Sequence, residues 1–112
     1  MVATYLVPEQ TVTANGQSQA VAAESVQMQI TLGISEVVEQ ESLDVTLWGS
    51  QDGTDWGKKP LAAFPQKFYP GLSTLVVDLS GVKQVQVRWV VNRWGRGPQT
   101  PSFKFFVAWE RL

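Results

Sequence analysis

The amino-acid sequence predicts an all-β protein, an antiparallel, jelly-roll-like β-sandwich of about eight strands. Apolar and polar residues alternate with a period of two in five segments, as in half-buried strands. Turn-forming residues separate the strand candidates at intervals of about 10–15 residues, which is typical of sandwiches. A length of 112 residues with 44% hydrophobic and 17% charged residues indicates one small globular domain.

The five strong strand candidates each have one apolar face. In order they are residues 26–34, 43–47, 75–79, 85–91 and 103–109. Weaker candidates are residues 2–7, 11–14, 17–22 and 62–69. Residues 20–27 and 34–41 are the helical options, but Ser35 has no glutamate three residues later to complete a capping box. We therefore expect no full helix there.

The first 24 residues are prone to form strands but only weakly amphipathic. One interpretation is an amino-terminal arm, with Val2, Tyr5 and Val7, in which residues 2–13 pair with the sheet edge of a neighbouring subunit. The alternative is a first hairpin closed by Asn15-Gly16, a turn dipeptide that favours positive φ. Residues 25–112 are predicted to form the sandwich core of the same single domain.

The absence of cysteine and histidine excludes many kinds of site. Zinc fingers, thiolate sites, cysteine nucleophiles and triads with an imidazole base all need these residues. Asp52 and Asp55 are interpreted as turn-capping residues, because a calcium loop of the EF-hand type also needs a bidentate glutamate. We expect no catalytic residues, no metal and no cofactor, and therefore no enzyme.

The chain begins without a basic segment, and Pro8 interrupts its first apolar run, so we expect no signal peptide. No apolar stretch approaches the ~18 residues of a membrane span, and no membrane partner is expected. Arg93 and Arg96 are too few basic residues for a nucleic-acid footprint on a chain of net charge −1. We therefore expect no nucleic-acid partner.

Charge is unevenly distributed along the sequence. Residues 1–57 contain eight acidic and no basic residues, whereas residues 58–112 contain all nine basic and two acidic residues. One hypothesis places the acidic residues 36–44 and a basic set at opposite poles of the folded unit, so that copies or partners meet by charge. The basic set is Lys83, Arg88, Arg93 and Arg96. The alternative is a surface on which interleaved strands mix both signs.

Five tryptophans and five phenylalanines supply candidate core and contact residues. Trp89 and Trp109 are in phase with apolar faces and are predicted to lie in the core. Trp48 and Phe106 are out of phase, so either a loop covers them or they contact another molecule. Trp94 is either a lid on its own sandwich or an exposed contact. The candidate partner-binding residues are Trp48, Trp94, Phe106, Arg93 and Arg96.

A strand followed by Ser50-x-Asp52-Gly53-x-x-Trp56 resembles the discoidin, or coagulation factor 5/8 C-type, family of galactose-binding-like jelly rolls. Residues 82–89 and 101–109 are similar to later strands of that fold. A short, cysteine-free chain that has this turn and ends in Pro101-Ser-Phe-x-Phe also resembles small structural proteins of bacteriophage heads and tails.

The second resemblance implies a non-enzymatic virion protein, most simply a capsid decoration or accessory protein assembled in the host cytoplasm. Such a protein would bind copies of itself, as a homo-oligomer, and a capsid or tail protein. The alternative, from the first resemblance, is a carbohydrate-binding module for surface glycans. Trp56, Asn92 and Trp94 are the residues that would contact the sugar.

Overall fold

A computed structural model describes residues 4–23, 25–38, 42–66, 69–92 and 102–111. Within these residues the chain forms nine β-strands and no helix, so the predicted all-β class is confirmed. The strands are β1 (Thr4–Val12), β2 (Gly16–Gln17), β3 (Val21–Ala22), β4 (Gln27–Val38), β5 (Ser42–Ser50), β6 (Ala62–Ala63), β7 (Gly71–Asp78), β8 (Gln84–Asn92) and β9 (Ser102–Arg111).

Two antiparallel sheets pack face to face as a β-sandwich. The four-stranded sheet has the order β1-β9-β4-β7. The five-stranded sheet has the order β2-β8-β5-β6, with β3 also paired to β8. Consecutive strands therefore often lie in different sheets, and residues far apart in sequence become neighbours.

The core lies between the inner faces of the sheets. Each of the five strong candidates contributes alternate side chains that are at most 8% exposed in this core. They include Met28 and Ile30 of β4, and Phe103 and Phe105 of β9. Trp89 of the five-stranded sheet packs edge-on against Phe105 of the other sheet, with ring centroids 5.5 Å apart. This contact joins the two layers directly.

The first two weak candidates merge into one strand, β1, which continues through Pro8. Proline is tolerated because β1 is an edge strand, where an N–H can be missing without breaking a ladder. The pairing of β1 with β9 has two register shifts. One of them lies between Tyr5 and Val7, and Leu6 and Val7 are both buried although they are consecutive.

The hairpin expected around Asn15-Gly16 is wrong, because β1 pairs with β9 whereas β2 pairs with β8. The Asn15-Gly16 segment instead crosses from one sheet to the other, and the Asn15 side chain accepts a hydrogen bond from Val91 N–H at 2.9 Å. Gly16 does not have the positive φ that the turn prediction implied. It is needed because a Cβ would stand 2.6 Å from the Trp89 ring.

The arm interpretation assigned residues 2–13 to a neighbouring subunit. In the structure β1 pairs with β9 of its own chain, and Val7 is 1% exposed in its own core. Tyr5 points to the opposite side and is 59% exposed. Val2 lies outside the described residues.

Candidate functional site

The turn after β5 is organised by two short polar side chains. The Ser50 hydroxyl accepts hydrogen bonds from the N–H groups of Asp52 (3.2 Å) and Gly53 (2.8 Å). The Asp52 carboxylate accepts bonds from the N–H groups of Thr54 (2.8 Å) and Asp55 (2.9 Å) and from the Ser50 hydroxyl (3.0 Å). Gly53 has a φ of 85°, a backbone conformation that suits glycine.

These hydrogen bonds determine the charge state of the turn. The N–H of Asp55, then that of Thr54, and then the Ser50 hydroxyl stabilise the carboxylate and hold the pKa of Asp52 well below its usual value. A single oxygen of Asp52, Oδ1, accepts all three hydrogen bonds and fixes the backbone of the turn. The turn in this way directs Trp56 back over the five-stranded sheet.

Arg88 of β8 lies between two tryptophans on the outer face of the five-stranded sheet. Its guanidinium carbon is 4.3 Å from the ring centroid of Trp48 and 6.0 Å from that of Trp56. Trp48 reaches Arg88 diagonally, because Thr46 is the residue of β5 that lies directly opposite Arg88. We call the surface formed by Trp48, Trp56 and Arg88 the Arg–Trp face.

Hydrogen bonds orient the side chains of the Arg–Trp face. The Trp48 indole N–H donates to Thr46 Oγ1 at 2.9 Å. Arg88 Nε donates to Gln86 Oε1 at 3.0 Å, and Gln86 Nε2 donates to the carbonyl of Ser18 at 3.0 Å. These hydrogen bonds restrict the rotamers of the side chains that form the Arg–Trp face.

A groove of about 360 Å³ adjoins the Arg–Trp face beside the turn. Trp56 forms one of its walls, and Gln51, Asp55, Lys59 and Leu61 are among the other lining residues. An aromatic ring beside carboxylate, amide and ammonium groups suits a ligand that has both apolar faces and hydroxyl groups.

A second aromatic surface lies on the outer face of the four-stranded sheet. Phe106 of β9 meets the exposed Tyr5 ring edge-on, with centroids 5.7 Å apart. Gly33 leaves room for the Phe106 ring, and Leu72 lies on the next strand, opposite Gly33. Leu72 and Val76 of β7 are 73% and 63% exposed. We call the surface formed by Tyr5, Phe106, Leu72 and Val76 the Tyr–Phe face.

The predicted partner-binding residues do not form one surface. Trp48 and Phe106 belong to different sheets, and each points away from the shared core, so they lie on opposite sides of the molecule. Both are only half-buried, in accordance with their out-of-phase positions. Arg93, Trp94 and Arg96 lie outside the described residues.

Gln86 and Leu72 are not among the candidate contact residues, and Arg88 is named only in the basic set of the charge hypothesis. The alternation in β8 does put Arg88 on the same kind of outer face as Trp48. The register that pairs Thr46 with Arg88 cannot be predicted from the sequence, because more than thirty residues separate β5 from β8.

Among the described residues, acidic and basic side chains are mixed at one end of the sandwich, whereas Lys83, bonded to Ser50 at the end of β5, lies at the other end. Glu36 lies opposite Lys104 in the β4–β9 ladder, and Lys104 Nζ is 3.7 Å from the carboxylate of Glu9. Ser42, which begins β5, pairs with Asn92, which ends β8. The strand ends next to the acidic segment and next to Arg93 therefore lie at the same end of the sandwich, because antiparallel pairing joins the start of one strand to the end of the other.

Comparisons with protein-family models, with curated proteins and with solved structures found no match to this chain. No helix among the described residues has the length and apolar character that crossing a membrane requires. In the same part of the chain, no group of three or more acidic side chains is placed to hold a metal ion.

Proposed function

We propose that this chain is a non-enzymatic structural protein of a virion, a capsid decoration or accessory protein that binds a capsid or tail protein and copies of itself. The observation that carries the proposal is the presence of aromatic side chains on both outer faces of the sandwich. The Arg–Trp face and the Tyr–Phe face point in opposite directions, so one copy offers two separate contact surfaces. The sequence resemblance to small bacteriophage structural proteins supports the virion assignment.

The composition of the Arg–Trp face favours a protein partner. Tryptophan and arginine are the residue types that most often carry binding energy in protein interfaces. Arg88 is already stacked on Trp48 and bonded to Gln86, so a partner meets a rigid surface. We assign the contact with a capsid or tail protein to this face.

The test is co-sedimentation of the purified chain with capsids or tails assembled without it. Trp48→Ala is expected to lower the affinity by about thirtyfold or more, because a tryptophan at the centre of an interface typically contributes about 2 kcal/mol or more. Val26→Ala removes an apolar side chain that is 63% exposed and outside both faces, and it serves as the matched control. Failure of the wild-type chain to bind either particle contradicts the proposal.

A second candidate function is binding of a surface glycan in the groove beside Trp56. The groove supports it because an aromatic wall and the polar side chains Gln51, Asp55 and Lys59 line the same space. Titration with simple sugars should then change the tryptophan fluorescence, and Trp56→Ala should abolish binding on a glycan array. An array with no bound glycan rejects this candidate and leaves the virion proposal standing.

A further inference from the structure

Strand β7 forms one edge of the four-stranded sheet. It pairs with β4 over its full length, from Gly71 opposite Ile34 to Asp78 opposite Gln27. Among the described residues, no strand pairs with its other edge.

The direction of the free backbone groups follows from one hydrogen bond. Leu79 N–H donates to Val26 C=O at 2.7 Å, just beyond the last paired residues of the β4–β7 ladder. Hydrogen-bonded pairs alternate with non-bonded pairs in an antiparallel ladder, so the odd-numbered residues of β7 bond to β4. The N–H and C=O groups of Leu72, Thr74 and Val76 therefore point outward from the sheet.

The two edges of this sheet differ in protection. On the opposite edge, β1 contains Pro8, has two register shifts and bears the Glu9–Lys104 ion pair, all of which hinder the addition of another strand. β7 has no proline, no lysine and no register shift over its eight residues. Its one charged residue, Asp78, is its last, and the Asp78 carboxylate accepts hydrogen bonds from Ser80 N–H and Oγ.

Leu72, Thr74 and Val76, whose backbone groups point away from β4, have their side chains on the outer face of the sheet. Leu72 and Val76 are 73% and 63% exposed there, and Thr74 between them is also exposed. An added strand would therefore gain backbone hydrogen bonds and would also cover two apolar side chains of the Tyr–Phe face.

We propose that a second copy of this chain binds here, with β7 paired antiparallel to β7 of the partner around a two-fold axis. The inference rests on the proposed function, since it names the self-contact of that structural protein. A register centred on Thr74 places Leu72 opposite Val76 of the partner subunit, on both sides of the axis. The two four-stranded sheets then form one continuous sheet, with the two Tyr–Phe faces side by side.

Charge does not oppose a second copy as the occupant. In the register centred on Thr74, Asp78 faces the position of Pro70 in the partner, so no like charges oppose each other across the seam. The net charge of −1 adds little repulsion between copies. A two-fold axis also makes the contact self-complementary, as in most homodimers.

The size of the seam sets the expected strength. An eight-residue strand is about 27 Å long, and one strand edge buries less than the ~800 Å² per partner of a typical stable interface. The dimer should therefore form reversibly and depend on protein concentration.

The experiment is sedimentation equilibrium of the pure chain over a wide range of concentration. The wild-type mass should rise from 12.4 kDa to twice that value as concentration increases. Thr74→Pro removes an outward N–H and keeps the backbone bonds to β4, although it also removes the 3.4 Å contact between the Thr74 and Thr31 hydroxyls; it should leave a monomer. Val76→Lys places a charge on the same edge and should also leave a monomer. Val90→Lys, on the outer face of the other sheet at 41% exposure, should still dimerise.

Each outcome decides the question. A wild-type chain that stays monomeric at all concentrations overturns the inference, and so does a dimer that survives in both β7 variants. If Thr74→Pro does not fold, as judged by circular dichroism, Val76→Lys alone decides. No capsid or tail protein is present in this measurement. A monomeric result would therefore reject the β7 contact without contradicting the binding of particles to the Arg–Trp face.

Discussion

The ring of Phe106 lies over Gly33 of the neighbouring strand, so closely that a Cβ on Gly33 would stand 2.3 Å from two ring carbons. The two residues are direct partners in the β4–β9 ladder. This pair explains why a glycine stands at this outer-face position of β4, where the other outer-face residues, such as Gln29 and Thr31, have side chains.

The Phe106–Gly33 contact predicts a strong coupling between two substitutions. Gly33→Ala should destabilise the protein by about 1–3 kcal/mol, because the ring must move away from its place on the sheet. In a Phe106→Ala background the same change should cost less, since only the Leu72 Cδ2 methyl, 3.0 Å from the added Cβ and at the end of a flexible side chain, must then move. A double-mutant cycle from urea unfolding measures the coupling, and equal costs in both backgrounds would show that the ring is free to move.

The contact of Arg88 with Trp48 predicts a smaller effect on stability. Arg88→Met keeps the apolar stem but removes the guanidinium that stacks on Trp48 and bonds to Gln86. The loss should be about 1 kcal/mol in the free energy of unfolding, together with a change in near-UV circular dichroism. Lys83→Met, at an exposed position, should change neither quantity.

The pKa of Asp52 predicts a pH-dependent cost for Asp52→Asn. Hydrogen bonds lower the pKa in the folded state, whereas in the unfolded chain it is about 3.9. The stabilisation is therefore complete above about pH 4 and is lost as the pH falls through the folded-state value.

Asp52→Asn should accordingly have a lower urea midpoint than the wild type at neutral pH, and the difference should shrink as the pH falls below about 4. Gln51→Asn alters a neutral, exposed side chain of the same turn and should show a difference that does not vary with pH. A constant difference for Asp52→Asn would mean that the carboxylate charge is not what stabilises the turn.

The pairing of β1 with β9 of the same chain predicts that substitutions of two β1 residues destabilise the protein by different amounts. Val7→Ala should cost about 2 kcal/mol, because the side chain is 1% exposed in the core. Tyr5→Ala should cost less than 1 kcal/mol beyond its contact with Phe106, because Tyr5 is 59% exposed. Thermal unfolding of the two variants checks the order, and the reverse order would mean that β1 does not occupy this position.

The sequence predicted the strongest elements because their signal is local. In β4 and β9 each buried side chain alternates with a more exposed one over most of the strand, and this pattern can be read without knowing the partner strand. The same reasoning identified Trp89 and Trp109 as core residues, and they are 7% and 2% exposed. Asp52 and Gly53 belong to a turn whose hydrogen bonds join residues two or three apart.

Prediction failed where the answer depended on distant residues. Asn15-Gly16 matches a hairpin turn locally, but the space under Gly16 is filled by Trp89, more than seventy residues later. The alternation identifies Trp48 and Phe106 as out-of-phase aromatics, but nothing in the sequence assigns β5 and β9 to different sheets.

By itself the sequence determined the class of fold, the strong strands and the side chains that face the core. The reason is that the alternation of apolar and polar residues is a pattern within a single strand. The tertiary structure alone decided which strands share a sheet, that Arg88 stacks on Trp48, and that β7 has an unpaired edge within the described chain. The reason is that many pairings of the same strands bury similar apolar faces. Only the packing of the whole chain, with Gly16 under Trp89 and Gly33 under Phe106, selects one of them.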